Sequence, residues 1–321
     1  MEIFMVNLKQ MLTLFIFILM GFMLRKAKVL PESSDVTMSR LELYIFTPAL
    51  TLSSMISNCT PKTFAENAPL ILYGAVIVVI AVLASYPISC LFIRKAGANA
   101  EKYQRNIYKY AMTFGNYGFI GNFIILGIWG DEMFFKYMMF CLIPGIICNS
   151  WGLYALIPKD KNQGAWANIK KGLTAPPMIC LAIGIIIGLL NARKYMPDFL
   201  LSVFSGAGQC QGPVAMVLAG FVIGGYNLKK IIANNKAYFA TFLRLIVIPA
   251  VIMVALHFMG VSKELMTIAL IFIATPIGLN TIVFPRLVGE DCRIGAGLAL
   301  ISNVLACLSI PVVLTLFNIG G

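Results

Sequence analysis

Between Val6 and Phe317 the chain is a near-continuous succession of apolar windows, each long enough to cross a bilayer as a helix of about 20 residues. Ten such windows fall near 6–24, 36–57, 69–93, 107–129, 133–157, 173–191, 205–226, 237–258, 264–285 and 294–317. The composition agrees, with 60% of the 321 residues hydrophobic and 12% charged, against roughly 25% charged in soluble domains. No stretch is left over for a soluble domain. The expected fold is therefore an all-α polytopic membrane protein, a single transmembrane domain over residues 1–321.

The first apolar run, Met11 to Leu24, is followed by Arg25-Lys26-Ala27-Lys28, which puts the basic flank on the wrong end for a secretory signal. That order suits a first helix whose N-terminus lies outside. The connections then assigned to the inner face hold Arg25, Lys26, Lys28, Arg40, Arg94, Lys95, Lys102, Arg105, Lys109, Lys159, Lys161, Lys170, Lys171, Lys229, Lys230, Lys236, Arg286 and Arg293. The outer side holds Lys9, Lys62, Lys136, Arg193, Lys194 and Lys263. This asymmetry follows the positive-inside rule and predicts both termini outside, in a plasma (inner) membrane. The net charge of +12 is then explained by topology and anionic lipid. Nucleic acid is not an expected partner.

The chain also divides into two similar halves, about 1–158 and 172–321, joined by the polar link Pro158–Gly164. Gly21–Pro31 resembles Gly188–Pro197, and Pro48, Pro87 and Pro144 answer Pro213, Pro249 and Pro311 in the same order. With five helices in each half, the second half must enter the membrane from the opposite side. Such inverted repeats are typical of secondary transporters, whose site lies at the repeat interface on discontinuous helices.

Two stretches fit that role. Phe114-Gly-Asn-Tyr-Gly-Phe-Ile-Gly-Asn122 in the fourth helix and Ala274-Thr-Pro-Ile-Gly-Leu-Asn280 in the ninth place glycine, proline and asparagine where lipid would surround them. Each glycine weakens a helix by about 1 kcal/mol relative to alanine, and a buried amide needs a partner. A plain anchor has no use for them. Helices broken here would present amides and partly positive N-termini suited to a carboxylate.

At these residues the chain resembles the auxin efflux carrier family, in particular its bacterial malate or dicarboxylate permeases. The resemblance covers essentially the whole chain. Its markers are Gly21-Phe22 with Leu24-Arg25-Lys26, Phe46-Thr-Pro-Ala-Leu50, Phe114–Gly121, Arg244 with Pro249, and Thr275-Pro276. The resemblance implies ten helices in two inverted five-helix repeats, similar to bile-acid/sodium symporters, with helices 4 and 9 broken and crossing at the centre. It also implies that organic anions pass by an elevator-like movement. Phe123 stands where family members usually carry proline. The helix 4 break would then rest on Gly115, Gly118 and Gly121, and the helix 9 break is expected to be the better defined.

The residues expected at the substrate are Asn116, Gly118, Gly121, Asn122, Thr275, Pro276, Gly278, Asn280 and Arg244. Arg244 lies eight residues beyond Lys236, about 12 Å along a helix, and either meets a carboxylate or snorkels to the interface. Glu42 and Arg40 are read as interface anchors at the start of helix 2, with a proton relay as the alternative, and His257 as a solvated residue, with a proton-coupling role as its alternative. Gln209, Gln211 and Asn303 line the pathway or bond between helices. Gly206, Ala207, Gly208 and Gly212 are read as close-packing residues. The eight cysteines lack any Cys-x-x-Cys spacing and are expected as free packing thiols.

The expected function is a secondary transporter of small organic anions such as malate-like dicarboxylates. An anion channel or a ligand sensor on the same fold are the alternatives. An enzyme is not expected, because His-Glu-x-x-His and Gly-x-Ser-x-Gly are both missing. No cofactor or metal is expected; coupling to Na+ or H+ stays open, and the chain is compatible with a homodimer.

Overall fold

The computed structural model describes residues 2–94, 97–158, 164–226, 233–287, 289–290 and 292–317. Of the basic residues that define the charge asymmetry, Lys95, Lys159, Lys161, Lys229 and Lys230 lie outside the described residues, as does 159–163 of the polar link. Among the described residues every regular element is helical.

In chain order the long helices are α1 (Glu2–Lys26), α2 (34–58), α3 (Pro61–Ser89), α4a (Asn99–Thr113), α4b (117–129) and α5 (131–156). The second half holds α6 (Pro176–Leu189), α7 (Asp198–Gly224), α8 (Asn235–Phe258), α9a (Lys263–Ala274), α9b (Asn280–Leu287) and α10 (Arg293–Leu316). Among the described residues, six helical stretches are long and apolar enough to cross a membrane: Leu8–Lys26, Pro61–Ser89, Tyr117–Leu156, Asp198–Gly224, Asn235–Phe258 and Arg293–Leu316. A short helix, Ala165–Leu173, occupies part of the connection read from sequence as a polar link.

Local chemistry explains the boundaries. Thr60 and Thr63 bond reciprocally to each other's backbone ahead of Pro61, closing the start of α3 as a capping box. Ser262 Oγ accepts from Leu265 N–H at 3.2 Å and starts α9a. Gly130, at φ 76° and ψ −169°, adopts a backbone open only to glycine and separates α4b from α5. Wide π turns at Glu42–Phe46 and Leu243–Val247 end immediately before Thr47-Pro48 and Ile248-Pro249 respectively. Proline lacks an N–H and crowds the carbonyl four residues back. The turn absorbs this by letting Thr47 and Ile248 donate five residues back, to Glu42 and Leu243.

The helices associate in two groups, which touch along α1 and α10. In the first, α1 packs on α7 and α2 on α6, each pair running parallel, with Gly220 on Ile18 and Gly224 on Arg25, Gly184 on Met55 and Gly188 on Cys59. A Cβ at Gly21 would strike the Val217 carbonyl, and one at Gly220 the Ile18 carbonyl, so the α1 and α7 backbones touch. Gly184 and Gly188 bring α6 onto Met55 and Cys59 of α2 in the same way. In the second group, α3 packs on α4a and α5, and α8 and α10 flank α9a. Every residue from Leu265 to Ala274 of α9a is buried. Lipid is as apolar as leucine, so these associations come from close contact rather than from expulsion of water. The outer faces fit lipid: Leu72, Leu83, Val251 and Leu308 are each more than 60% exposed.

Candidate functional site

Helices 4 and 9 both break, and the breaks meet. Phe114 leaves α4a in extended conformation, and Thr275 leaves α9a likewise. Between the breaks the two chains pair as a single antiparallel β-bridge, Gly115 with Ile277. Asn116 N–H donates to the Pro276 carbonyl at 2.6 Å, and Ile277 N–H to Ser302 Oγ of α10 at 3.0 Å. The break in helix 4 therefore forms without a proline of its own, because Pro276 across the crossing supplies an acceptor. The non-helical gap in helix 9 is the longer of the two, residues 275–279 against 114–116.

Gly115 is required by that approach. A Cβ there would lie 2.6 Å from both the Thr275 carbonyl oxygen and Arg244 Nη2. Gly121 faces the Tyr137 hydroxyl, whereas Gly118 faces open space. Of the three glycines expected to make the break, Gly115 sits at the crossing; the other two lie in the π turn that follows, Tyr117–Gly121.

Arg244 accounts for the helix ends that the break would otherwise orphan. Its side chain is fully buried. Nη1 donates to the carbonyls of Met112 and Thr113 at 3.0 and 3.2 Å, and Nε to the Thr275 carbonyl at 3.4 Å. These carbonyls belong to the C-terminal ends of α4a and α9a, where helix dipoles concentrate partial negative charge. One guanidinium thus covers both negative ends. Arg244 neither snorkels to an interface nor lines the cavity described next.

The opposite, N-terminal ends of α4b and α9b face a cavity of about 430 Å3. Asn116, Gly118, Asn122, Gly278 and Asn280 line it, while Gly121, Thr275, Pro276 and Arg244 lie behind its wall. The cavity sits between the two helix groups, walled by α2, α6 and α7 on one side and by α4b, α5 and α9 on the other. Asn280 Nδ2 donates to the Tyr110 hydroxyl at 2.9 Å, and that hydroxyl also meets Cys148 Sγ at 3.1 Å. Asn116 differs. It is 4% exposed, and its side-chain Nδ2 has no hydrogen-bond partner.

Comparison with known proteins bears on this arrangement. A family model described as "Membrane transport protein" matches residues 6–168 and 166–314. The chain belongs to this membrane transport family. It is the auxin-efflux-carrier-type family that the motifs resemble. An uncharacterized transporter of Methanocaldococcus jannaschii is 22% identical over 321 residues, covering 95% of this chain and 97% of the relative. An uncharacterized transporter of Methanothermobacter thermautotrophicus is 23% identical over 247 residues, 77% of each chain. The protein is a multi-pass, membrane-embedded member of a transport family, and these relatives point to a transporter rather than an enzyme.

Several other residues have defined places in this membrane transport protein. Gln211 Nε2 reaches from α7 to the Gly118 carbonyl at 3.2 Å, an interhelical bond at the cavity edge. Asn303 bonds its own helix at the Ala299 carbonyl. Gln209 and Gly206 line a second, serine-rich cavity of about 460 Å3 with Ser53, Ser57 and Arg193. Gly208 and Gly212 pack on Leu50 and Phe123, while Gly206 has open space around it. All eight cysteines are free thiols.

Glu42 is the residue that the sequence reading misplaced. Instead of anchoring an interface it is 1% exposed and lines the central cavity. It stands eight residues inside α2, counting from Ser34, the same spacing that singled out Arg244. That spacing was the available signal, and the neighbouring Arg40 obscured it.

Proposed function

We propose that this protein is a secondary active transporter that carries small organic anions, malate-like dicarboxylates first among them. The observation that carries the reading is the unpartnered Asn116 amide, buried at the crossing and lining the cavity. A buried amide donor without an acceptor is destabilising by about 1–3 kcal/mol, and a carboxylate oxygen would satisfy it. The charge distribution favours the same ligand. Arg244 masks the two negative helix ends, and the two positive ends remain toward the cavity.

In this proposal the ten helices form two inverted five-helix repeats, with both termini outside a plasma membrane. The anion binds between the helix groups, and alternating access follows when the group holding the crossing moves against the group of α1, α2, α6 and α7. The location of the cavity at the seam between the groups supports that division.

The test is uptake of labelled malate by vesicles containing the purified protein. Asn116→Ala is expected to raise the half-saturating concentration about 10- to 150-fold, the effect of losing one charge-assisted bond of roughly 1.5–3 kcal/mol. Pro276→Ala is expected to abolish saturable uptake. Intact saturable uptake in both variants rejects the site. Flux that neither saturates nor shows trans-stimulation identifies an anion channel instead.

A further inference from the structure

We propose that Glu42 is a proton-binding site in the wall of the central cavity, and that it takes up one proton with each organic anion. The inference rests on the anion-transport reading and deepens it. The Glu42 carboxylate is 1% exposed. Its Oε2 accepts a single long bond, 3.5 Å, from the Thr47 hydroxyl, and its Oε1 has no partner. Among the described residues no basic group forms an ion pair with it. Buried carboxylates are ordinarily paired with a cation or held by several donors. Glu42 has neither, and it shares a cavity with the unpartnered Asn116 amide.

Arg40 lines the same cavity, but among the described residues it makes no ion pair with Glu42. On α2 itself the ionisable groups are Asp35, whose Oδ1 accepts from Val36 N–H, together with the exposed Arg40 and Tyr44. Residues 47–58 of α2 carry none. Of the helices packed on the Glu42 turn, α6 contributes Cys180, and α7 contributes the exposed Cys210 and, at its far start, Asp198. Across the cavity stand Tyr117, Cys141 and Cys148.

An organic anion entering this cavity would meet a second negative charge at Glu42 if that carboxylate were ionised. Addition of a proton to Oε1 gives a neutral carboxyl with an O–H to donate, which removes the repulsion. Anion and proton then bind with positive coupling, and each promotes the other to the same degree. The proton comes from bulk water, and no covalent bond to the substrate forms or breaks.

The experiment measures malate affinity of the full-length protein in detergent against pH. The same samples are examined by infrared difference spectroscopy for a protonated-carboxyl band. In the wild type, Kd is expected to rise by up to about tenfold per pH unit above the pH at which free Glu42 ionises, the slope for one linked proton. Glu42→Gln, which keeps the acceptor for Thr47, is expected to bind with no such slope and to lack the band. Glu42→Asp and Asp35→Asn are expected to keep the slope. A wild type that binds malate with a flat pH profile overturns the proposal, as does a Glu42→Gln variant that retains the full slope. Loss of the slope in Asp35→Asn with retention in Glu42→Gln overturns it too, and assigns the proton to Asp35. A carboxyl band removed by Glu42→Gln, in a protein that binds no organic acid, upholds the proton site while rejecting the anion-transport reading.

Discussion

Arg244→Ala removes a side chain that holds both broken helices at once. Three carbonyls, of Met112, Thr113 and Thr275, lose their donors and stay buried. Bonds from a charged donor are worth roughly 1.5–3 kcal/mol each, which sets a gross loss of several kcal/mol. Two effects offset part of it: an ion no longer has to be desolvated, and Nη2, which has no partner, disappears. The net expectation is a loss of about 3 kcal/mol of unfolding free energy, a factor of roughly 150 in the folded-to-unfolded ratio. The measurement is equilibrium unfolding of the purified protein in mixed micelles titrated with sodium dodecyl sulfate. Arg244→Lys keeps the charge, but a single ammonium lacks the planar fork that spans both helix ends, so it should recover less than half of the loss. A variant Arg244→Ala that unfolds within about 0.5 kcal/mol of wild type, yet binds malate more weakly, would refute the clamp. It would return Arg244 to the substrate.

Other substitutions separate the parts of the fold. Gly115→Ala pushes a methyl group into the Thr275 carbonyl and Arg244, and should destabilise the protein by about 1–3 kcal/mol in the same unfolding assay. Gly118→Ala meets nothing within 4 Å and should leave stability nearly unchanged while altering the half-saturating malate concentration. Gly220→Val forces α1 away from α7 at the Ile18 carbonyl and should prevent a monodisperse protein from being recovered by size-exclusion chromatography. For the topology, single cysteines at Ser33 and Lys194 in a cysteine-free background should label from opposite sides of intact cells, with Lys194 reached from outside.

Much of the fold was legible because the bilayer forces each crossing to be written as a long apolar run. The breaks were legible for the complementary reason, since glycine, proline and asparagine are costly there unless used. What the sequence could not convey was partnership. Arg244 stood out as a buried charge, but its acceptors are carbonyls about 30 and 130 residues away, and a carbonyl has no residue type to mark it. The lack of a proline in helix 4 looked like a weaker break because the acceptor that completes it, the Pro276 carbonyl, lies in the other half of the chain. From sequence Glu42 reads as an interface residue because it stands near the start of the second apolar window, beside Arg40. Only the register of α2 turns its carboxylate into the cavity.

The bridge between Gly115 and Ile277 also constrains how the protein is made. A ribosome completes the first broken helix long before it synthesises Pro276, Arg244 or Ser302. Until then the Asn116 backbone N–H and the Met112 and Thr113 carbonyls lack the Pro276 and Arg244 partners they hold in the finished fold. The amino-terminal half must therefore wait in the membrane as an incomplete object, exposed to the proteases that survey nascent chains. A fragment ending at Gly164 should be degraded when expressed alone and persist when residues 165–321 are supplied as a second polypeptide, which pulse-chase labelling would reveal.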